Sequence, residues 1–205
     1  MAKLINKEEK RFLIIEAALR ELAKKGFTKT TINDIAKAAD IGKGTVYEYF
    51  TTKEEIIHYS FGYFIKALEL NFQEILIMDT SAKEKLTLAL QGFFEFVRSD
   101  SRELMDLMFE FWAEGIKNKD SKSILYEDMR KFYHSYREIF SDIIKEGIED
   151  GSFKENVDAN DVASLIVGML DGVLVQWILD KKNTKLATLI KATLATILGG
   201  IAADE

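Results

Sequence analysis

The chain has 205 residues, enough for one large or two small domains with a true core, and 47% hydrophobic against 30% charged residues describe an ordinary folded protein rather than a disordered one. It contains no cysteine, which excludes disulfides and thiolate metal sites, and no apolar run reads as a membrane span or a signal peptide, so a cytoplasmic protein is expected. The net charge of −6 hides an asymmetry: residues 1–53 carry 11 basic and 7 acidic side chains and the remainder 17 and 27, so only the N-terminal quarter suits a polyanion.

There is no proline, and most glycines fall at the ends of apolar-periodic runs, which points to an all-α chain. Ile14, Ile15, Ala18, Leu19 and Leu22 keep a helical period, and Gly26 stands where a left-handed C-terminal residue is wanted. Thr31 with Asp34 three residues on predicts a capping box for a second helix with Ile32, Ile35, Ala36 and Ala39 inward. Asp40, Ile41 and Gly42 form the break. A third helix, Lys43 to Phe50, sets Val46 and Phe50 on one face. Thr52 with Glu55 then opens a long helix to about Ile77.

Further along, Ser81 with Glu84, Asp100 with Glu103 and Asp158 with Asp161 read as helix starts, and Gly115 and the Gly147/Gly151 pair as stops. The predicted helices are 82–98, 102–115, 121–150, 159–181 and 184–201. About nine helices and no sheet result.

Helices two and three are short and marginal alone, so helix one and the start of helix four must supply their packing. With Val46 and Phe50 inward, Lys43, Thr45, Tyr47, Glu48 and Tyr49 are left around the rest of helix three. Hydroxyls and an ammonium suit phosphate oxygens, and a helix offered this way suits a major groove. The alternative is a small packing unit with aromatic capping contacts.

Helix eight is apolar on more than one face, through Val162, Leu165, Ile166, Met169, Leu170, Val173, Leu174, Trp177 and Ile178. Helix nine adds Leu186, Leu189, Ile190, Leu194, Ile197, Leu198 and Ile201. Such helices are covered on both sides, and a partner subunit is the expected second cover. Gly168 and Gly172 would allow a close helix approach there, and Leu194 and Ile197 are taken as interface positions; close packing within one protomer is the alternative. The middle of the chain crowds Phe64, Phe93, Phe96, Met105, Met108, Trp112, Tyr126, Met129 and Tyr133, which describe plain core or an adaptable apolar pocket. Glu110 and Glu114 suit a solvated face or a cationic ligand.

An enzyme has little support. The two histidines, His58 and His134, stand near no metal or nucleophile pattern, and no glycine-rich phosphate loop is present, so neither cofactor nor metal is expected. A helical adaptor for protein partners would explain the aromatic middle and not the Lys43 to Lys53 stretch.

Those residues carry a resemblance. IEAAL at 15–19, KGF at 25–27, TTINDIAKAA at 30–39, GKGTVYEYF at 42–50 and KEE at 53–55 resemble the DNA-binding domain of TetR-family transcriptional repressors. Phe111-Trp112, the 146–153 segment EGIEDGSF, and Leu170, Asp171 and Gly172 followed by Gln176 are similar to the subset with an AcrR- or BetI-like regulatory domain. The resemblance implies a helix-turn-helix domain over 1–53 and a ligand-binding and dimerisation domain over 54–205. It implies a homodimeric repressor on a palindromic duplex, released by a small apolar or amphipathic effector held among helices four to eight. By position, Thr31 and Lys43 would meet phosphate, Gly44 would allow close approach, Thr45 and Tyr47 would reach base edges, and Tyr49 and Lys53 would clamp the flanking backbone. Lys3, Lys7, Lys10 and Arg11 would add contacts from an N-terminal arm. Two departures stand out: Asp40 holds a turn position usually given to glycine, and the recognition helix lacks the Arg, Asn and Gln that read purines bidentately.

Overall fold

Helix α1 (Lys7–Lys29) is broken at Gly26, whose φ of 74° and ψ of 169° lie where only glycine sits without strain. The buried Thr30 ties the chain past the break back to the helix, its hydroxyl donating to Gly26 O at 2.8 Å with Glu21 O a second acceptor at 3.1 Å, and its N–H donating to Gly26 O at 3.2 Å. Helix α2 (Ile32–Ala38) opens on the expected capping box: Thr31 Oγ1 accepts from Asp34 N, and the Asp34 carboxylate accepts from Thr31 N. It ends with Asp40 at a φ of 53° and Ile41 N reaching back to Ala36 O at 3.0 Å, so an aspartate fills the left-handed position. Helix α3 (Lys43–Tyr49) and α4 (Lys53–Leu76) follow.

Beyond these lie α5 (Ala82–Arg98), α6 (Arg102–Lys117), α7 (Ile124–Glu149), α8 (Ala159–Leu179) and α9 (Leu186–Ile201). The computed structural model describes residues 7–98, 102–117 and 124–203, and the side chains at 64, 67, 68, 71, 96–98 and 102–106 are outside that description. The expected helix start at Asp100 and Glu103 falls on these residues. Among the described residues there is no strand, only an isolated bridge between Phe153 and Ala202.

Gly115 does not end α6. A Cβ built there would stand 2.4 Å from Met129 Sδ, so the glycine lets α7 approach α6 closely while the helix runs on to Lys117. Helix α9 starts two residues later than its apolar period predicts. Asp180 folds 180–184 into a separate turn, its carboxylate accepting from Asn183 N and Nδ2 while Thr184 N donates to Asp180 O.

Two compact units emerge. The first joins residues 1–67 with 100–131, and its core is Ile14, Leu22, Ile35, Val46, Phe50, Ile56, Phe61 and Phe111. The second joins 68–99 with 132–205, around Leu86, Leu90, Phe94, Phe140, Phe153, Ile166 and Leu170. Within it the buried Lys85 ammonium is matched by both oxygens of Glu146, at 2.8 and 2.9 Å.

Helix α8 corrects one expectation. At 21 residues it is long and apolar enough, by length and composition alone, to cross a membrane. Its Ala163, Ile166, Val167, Leu170 and Leu174 instead face the interior of the second unit, and its Asp171 accepts a hydrogen bond from Tyr133 at 3.0 Å.

Candidate nucleic-acid interface and effector region

The geometry of α3 follows from two inward residues. Val46 is fully buried and Phe50 is 1% exposed, its ring meeting Tyr59 edge-on at 5.7 Å. On a cylinder of seven residues this fixes what remains outward: Lys43, Gly44, Tyr47 and Glu48 are exposed, and Thr45 and Tyr49 half-buried. Nothing lies within 4 Å of a Cβ built on Gly44. The Lys43 ammonium stands 5.8 Å from the Tyr47 ring centre, and Lys43 is in no ion pair among the described residues. The outward face thus offers a cation, two phenols and a hydroxyl on a rigid helix.

Two expected contacts take other work. Thr31 is exposed, yet its backbone N–H donates to Asp34 at 3.0 Å and its hydroxyl at 2.6 Å, so both donors are committed to the cap. Those bonds, with Lys25 at 2.9 Å from the same carboxylate, hold Asp34 well below the usual carboxylate range. Lys25 is held above its ordinary value by Glu21 and then by Asp34. Lys53 is half-buried, and its ammonium donates to Phe27 O at 2.7 Å.

Basic residues before α1's core are helical rather than an arm. Lys7, Lys10 and Arg11 belong to α1, and Lys3 lies outside the described residues. Arg11 sets its guanidinium 4.0 Å from the Tyr59 ring centre and 5.3 Å from that of Phe50, so its charge is engaged with rings on α4 and at the end of α3.

Glu110 is exposed, in keeping with a solvated face, and also carries a contact that the sequence does not show. Its carboxylate accepts from Phe27 N at 3.2 Å, with Oε1 3.0 Å from where a Cβ on Gly26 would stand. The Phe27 peptide is therefore held at both ends, by α6 through its N–H and by the first residue of α4 through its carbonyl, while its ring meets Phe111 edge-on at 4.9 Å. His58 pairs through Nδ1 with Asp128.

The proposed effector residues divide between the units. Met108, Trp112, Tyr126 and Met129 lie in the first, with both methionines buried and Trp112 edge-on to Phe109 at 5.3 Å. Phe93 and Tyr133 lie in the second, in an aromatic cluster centred on Tyr136, which Phe93 approaches to 6.3 Å. The side chains of Phe64, Phe96 and Met105 are outside the described residues. Tyr136 itself goes unnoticed in the sequence because a buried tyrosine there has the signature of plain core.

On α8, Leu165 is 68% and Leu179 80% exposed. Gly168 and Gly172 lie on the same helical face, and a Cβ on either would meet nothing within 4 Å. Leu194 is half-buried, whereas Ile197 is only 7% exposed and packs into its own protomer.

Comparison with known proteins agrees with this geometry. Residues 14–59 match the model of bacterial regulatory proteins of the tetR family, and residues 82–200 that of the BetI-type transcriptional repressor C-terminal region. A fatty acid metabolism regulator protein of Bacillus subtilis is 28% identical over 199 residues, covering 95% of this chain and 97% of that protein. The repressor KstR2 of Mycolicibacterium smegmatis is 27% identical over 192 residues, covering 94% and 90%. A solved structure of FadR from Bacillus subtilis in complex with stearoyl-CoA superposes with a TM-score of 0.73 at 27% identity, covering 92% of this chain and 98% of that one. The chain belongs to the TetR family of bacterial DNA-binding transcriptional regulators, with a BetI-type C-terminal region.

Proposed function

We propose that this protein is a dimeric repressor that a long-chain acyl thioester releases from a two-fold symmetric operator. The observation that carries the DNA half is the outward face of α3, where Val46 and Phe50 fix the helix and leave Lys43, Gly44 and Tyr47 exposed. Lys43 and Tyr49 serve phosphates and Gly44 lets the backbones come close. Thr45 and Tyr47 read base edges and thymine methyls, with DNA shape supplying the rest, because α3 has no Arg, Asn or Gln. Thr31 and Lys53 act chiefly by holding α2 and the end of α1 in place.

The regulatory and dimerisation work falls to residues 54–205. Leu165, Gly168, Gly172 and Leu179 on α8, with Leu194 on α9, form the apolar face that a second protomer covers. The effector class is supported by the similarity to a fatty acid metabolism regulator over nearly the whole chain, and by the stearoyl-CoA in the FadR structure. Its apolar part is placed among the rings of the second unit, Phe93 and Tyr133 included. Such a ligand releases DNA only through unequal affinity for the DNA-competent and incompetent arrangements. Helix α4 is the route, since it begins beside α3 and runs on into the second unit. A change in its tilt takes two recognition helices out of register with successive major grooves about 34 Å apart. The protein's work is binding rather than catalysis, in the compartment that holds the chromosome.

The test is a selection of operator fragments from genomic DNA followed by titration with palmitoyl-CoA. Micromolar thioester should dissociate the complex. An operator complex that no acyl-CoA disturbs would remove the effector half of this reading.

A further inference from the structure

Helix α7 carries two phenols one turn apart that meet opposite fates. Tyr133 donates its hydroxyl to Asp171 at 3.0 Å. Tyr136 is 5% exposed and gripped by rings, stacked on Phe132 at 5.4 Å and edge-on to Phe72 at 5.2 Å and Phe140 at 5.3 Å, yet its buried hydroxyl has no hydrogen-bond partner among the described residues. A buried hydroxyl left unpaired is costly and calls for an occupant. Tyr136 walls a cleft with Glu69, Phe72, Phe132, Ser135 and Ile139 whose cavity volume is about 10 Å³, room for one small group such as a single oxygen atom, and the cleft opens to solvent.

We infer that the Tyr136 hydroxyl is the donor for a neutral carbonyl oxygen on the effector, and that this bond selects a thioester over the free acid. The inference rests on the acyl-thioester reading above. Burial, then the nearby charge of Asp171, push the Tyr136 phenol well above its usual value, so it stays protonated and donates. The same surroundings oppose an anion. Glu69, which accepts from Ser135 Oγ at 3.3 Å, is in the cleft wall, and the Asp171 carboxyl is near enough to act on Tyr136. A fatty acid carboxylate would face both, whereas a thioester carbonyl brings an acceptor without a charge. An organic cation would suit the carboxylates but would leave the phenol unpaired.

The test compares palmitoyl-CoA with S-hexadecyl-CoA, a thioether of equal chain length that lacks the carbonyl, on the parent protein and Tyr136→Phe, by calorimetry and by release from operator. The parent should prefer the thioester by about tenfold, the worth of one buried hydrogen bond. Tyr136→Phe should bind both about equally, at the parent's thioether affinity. Its melting temperature should be unchanged or higher, because it deletes an unpaired polar group and leaves every ring in place. A tenfold preference surviving in Tyr136→Phe overturns the inference, as does a parent that binds both ligands alike or is released as readily by palmitate. A parent that binds neither ligand refutes the effector class instead, and the assignment of Tyr136 goes with it.

Discussion

Replacing Lys43 with alanine removes an exposed ammonium from the first residue of α3, 5.8 Å from the Tyr47 ring centre and paired with no carboxylate among the described residues. A two-fold complex loses two such lysines, one per half-site. Each phosphate contact contributes roughly 0.9 to the slope of log affinity against log salt, so the slope should fall by about 1.8. Between about 50 and 200 mM salt, the parent's advantage should therefore shrink roughly twelvefold. Anisotropy of a labelled operator duplex, titrated at four or five salt concentrations, reads this directly. The fold is not at stake: the exposed contact with Tyr47 is worth about 0.5 kcal/mol, and the melting temperature should move by no more than about 2 °C. Lys53→Ala behaves differently, because it strips the donor from Phe27 O and should lower the melting temperature while changing the salt slope less. Parallel salt plots for the parent and Lys43→Ala would refute the placement of Lys43 on phosphate, and with it the orientation of α3 in the groove.

Three further outcomes are expected. Leu165→Glu and Gly168→Leu alter positions with open space around them in the protomer, so helicity should hold while sedimentation shifts from dimer to monomer; a clean dimer at micromolar concentration would move the interface elsewhere. Ile197→Glu, by contrast, should unfold the protomer, since that side chain is 7% exposed. Burial pushes Asp171 up to about 6, so between about pH 4 and 6 the folded chain holds a proton that the unfolded chain releases, and stability falls as pH rises through that window. At fixed protein concentration Asp171→Asn should flatten this fall and add roughly 2 kcal/mol at pH 7, after allowance for partial exposure; urea curves that keep the parent's slope would contradict it.

Local grammar made most of the DNA-binding half legible. The Thr31/Asp34 capping box, the left-handed Asp40 and the inward pair Val46 and Phe50 are determined by residues within one or two turns of each other, and a sequence shows such spacings. Pairings across long separations were hidden. Glu110 and Phe27 are 83 residues apart, and periodicity shows that Glu110 is outside an apolar stripe without showing what it meets. Gly115 failed as a stop for a related reason, because a glycine that admits a neighbouring helix looks like one that ends its own. On α8 and α9, apolar nearly all round, no period distinguishes the face turned to the protomer's core from the other. Ile197, expected at a subunit interface, is only 7% exposed in its own protomer, while the exposure of Leu165 shows only in three dimensions.

The double hold on the Phe27 peptide bears on how such regulators can be recombined. The recognition helix looks like a cassette that a cut near residue 53 would free for grafting onto another regulatory domain. Yet the strut that fixes the end of α1 comes partly from Glu110 and Phe111, which are distant in the chain and belong to the same unit. A head grafted without its own α6 surface would meet a foreign side chain at Gly26, where a Cβ would already crowd Glu110 at 3.0 Å, and its Phe27 amide would lose its acceptor. Exchange of operator specificity between relatives therefore has two workable forms. Either only the outward residues of α3 are transplanted, or the α6 segment that faces α1 travels with the head.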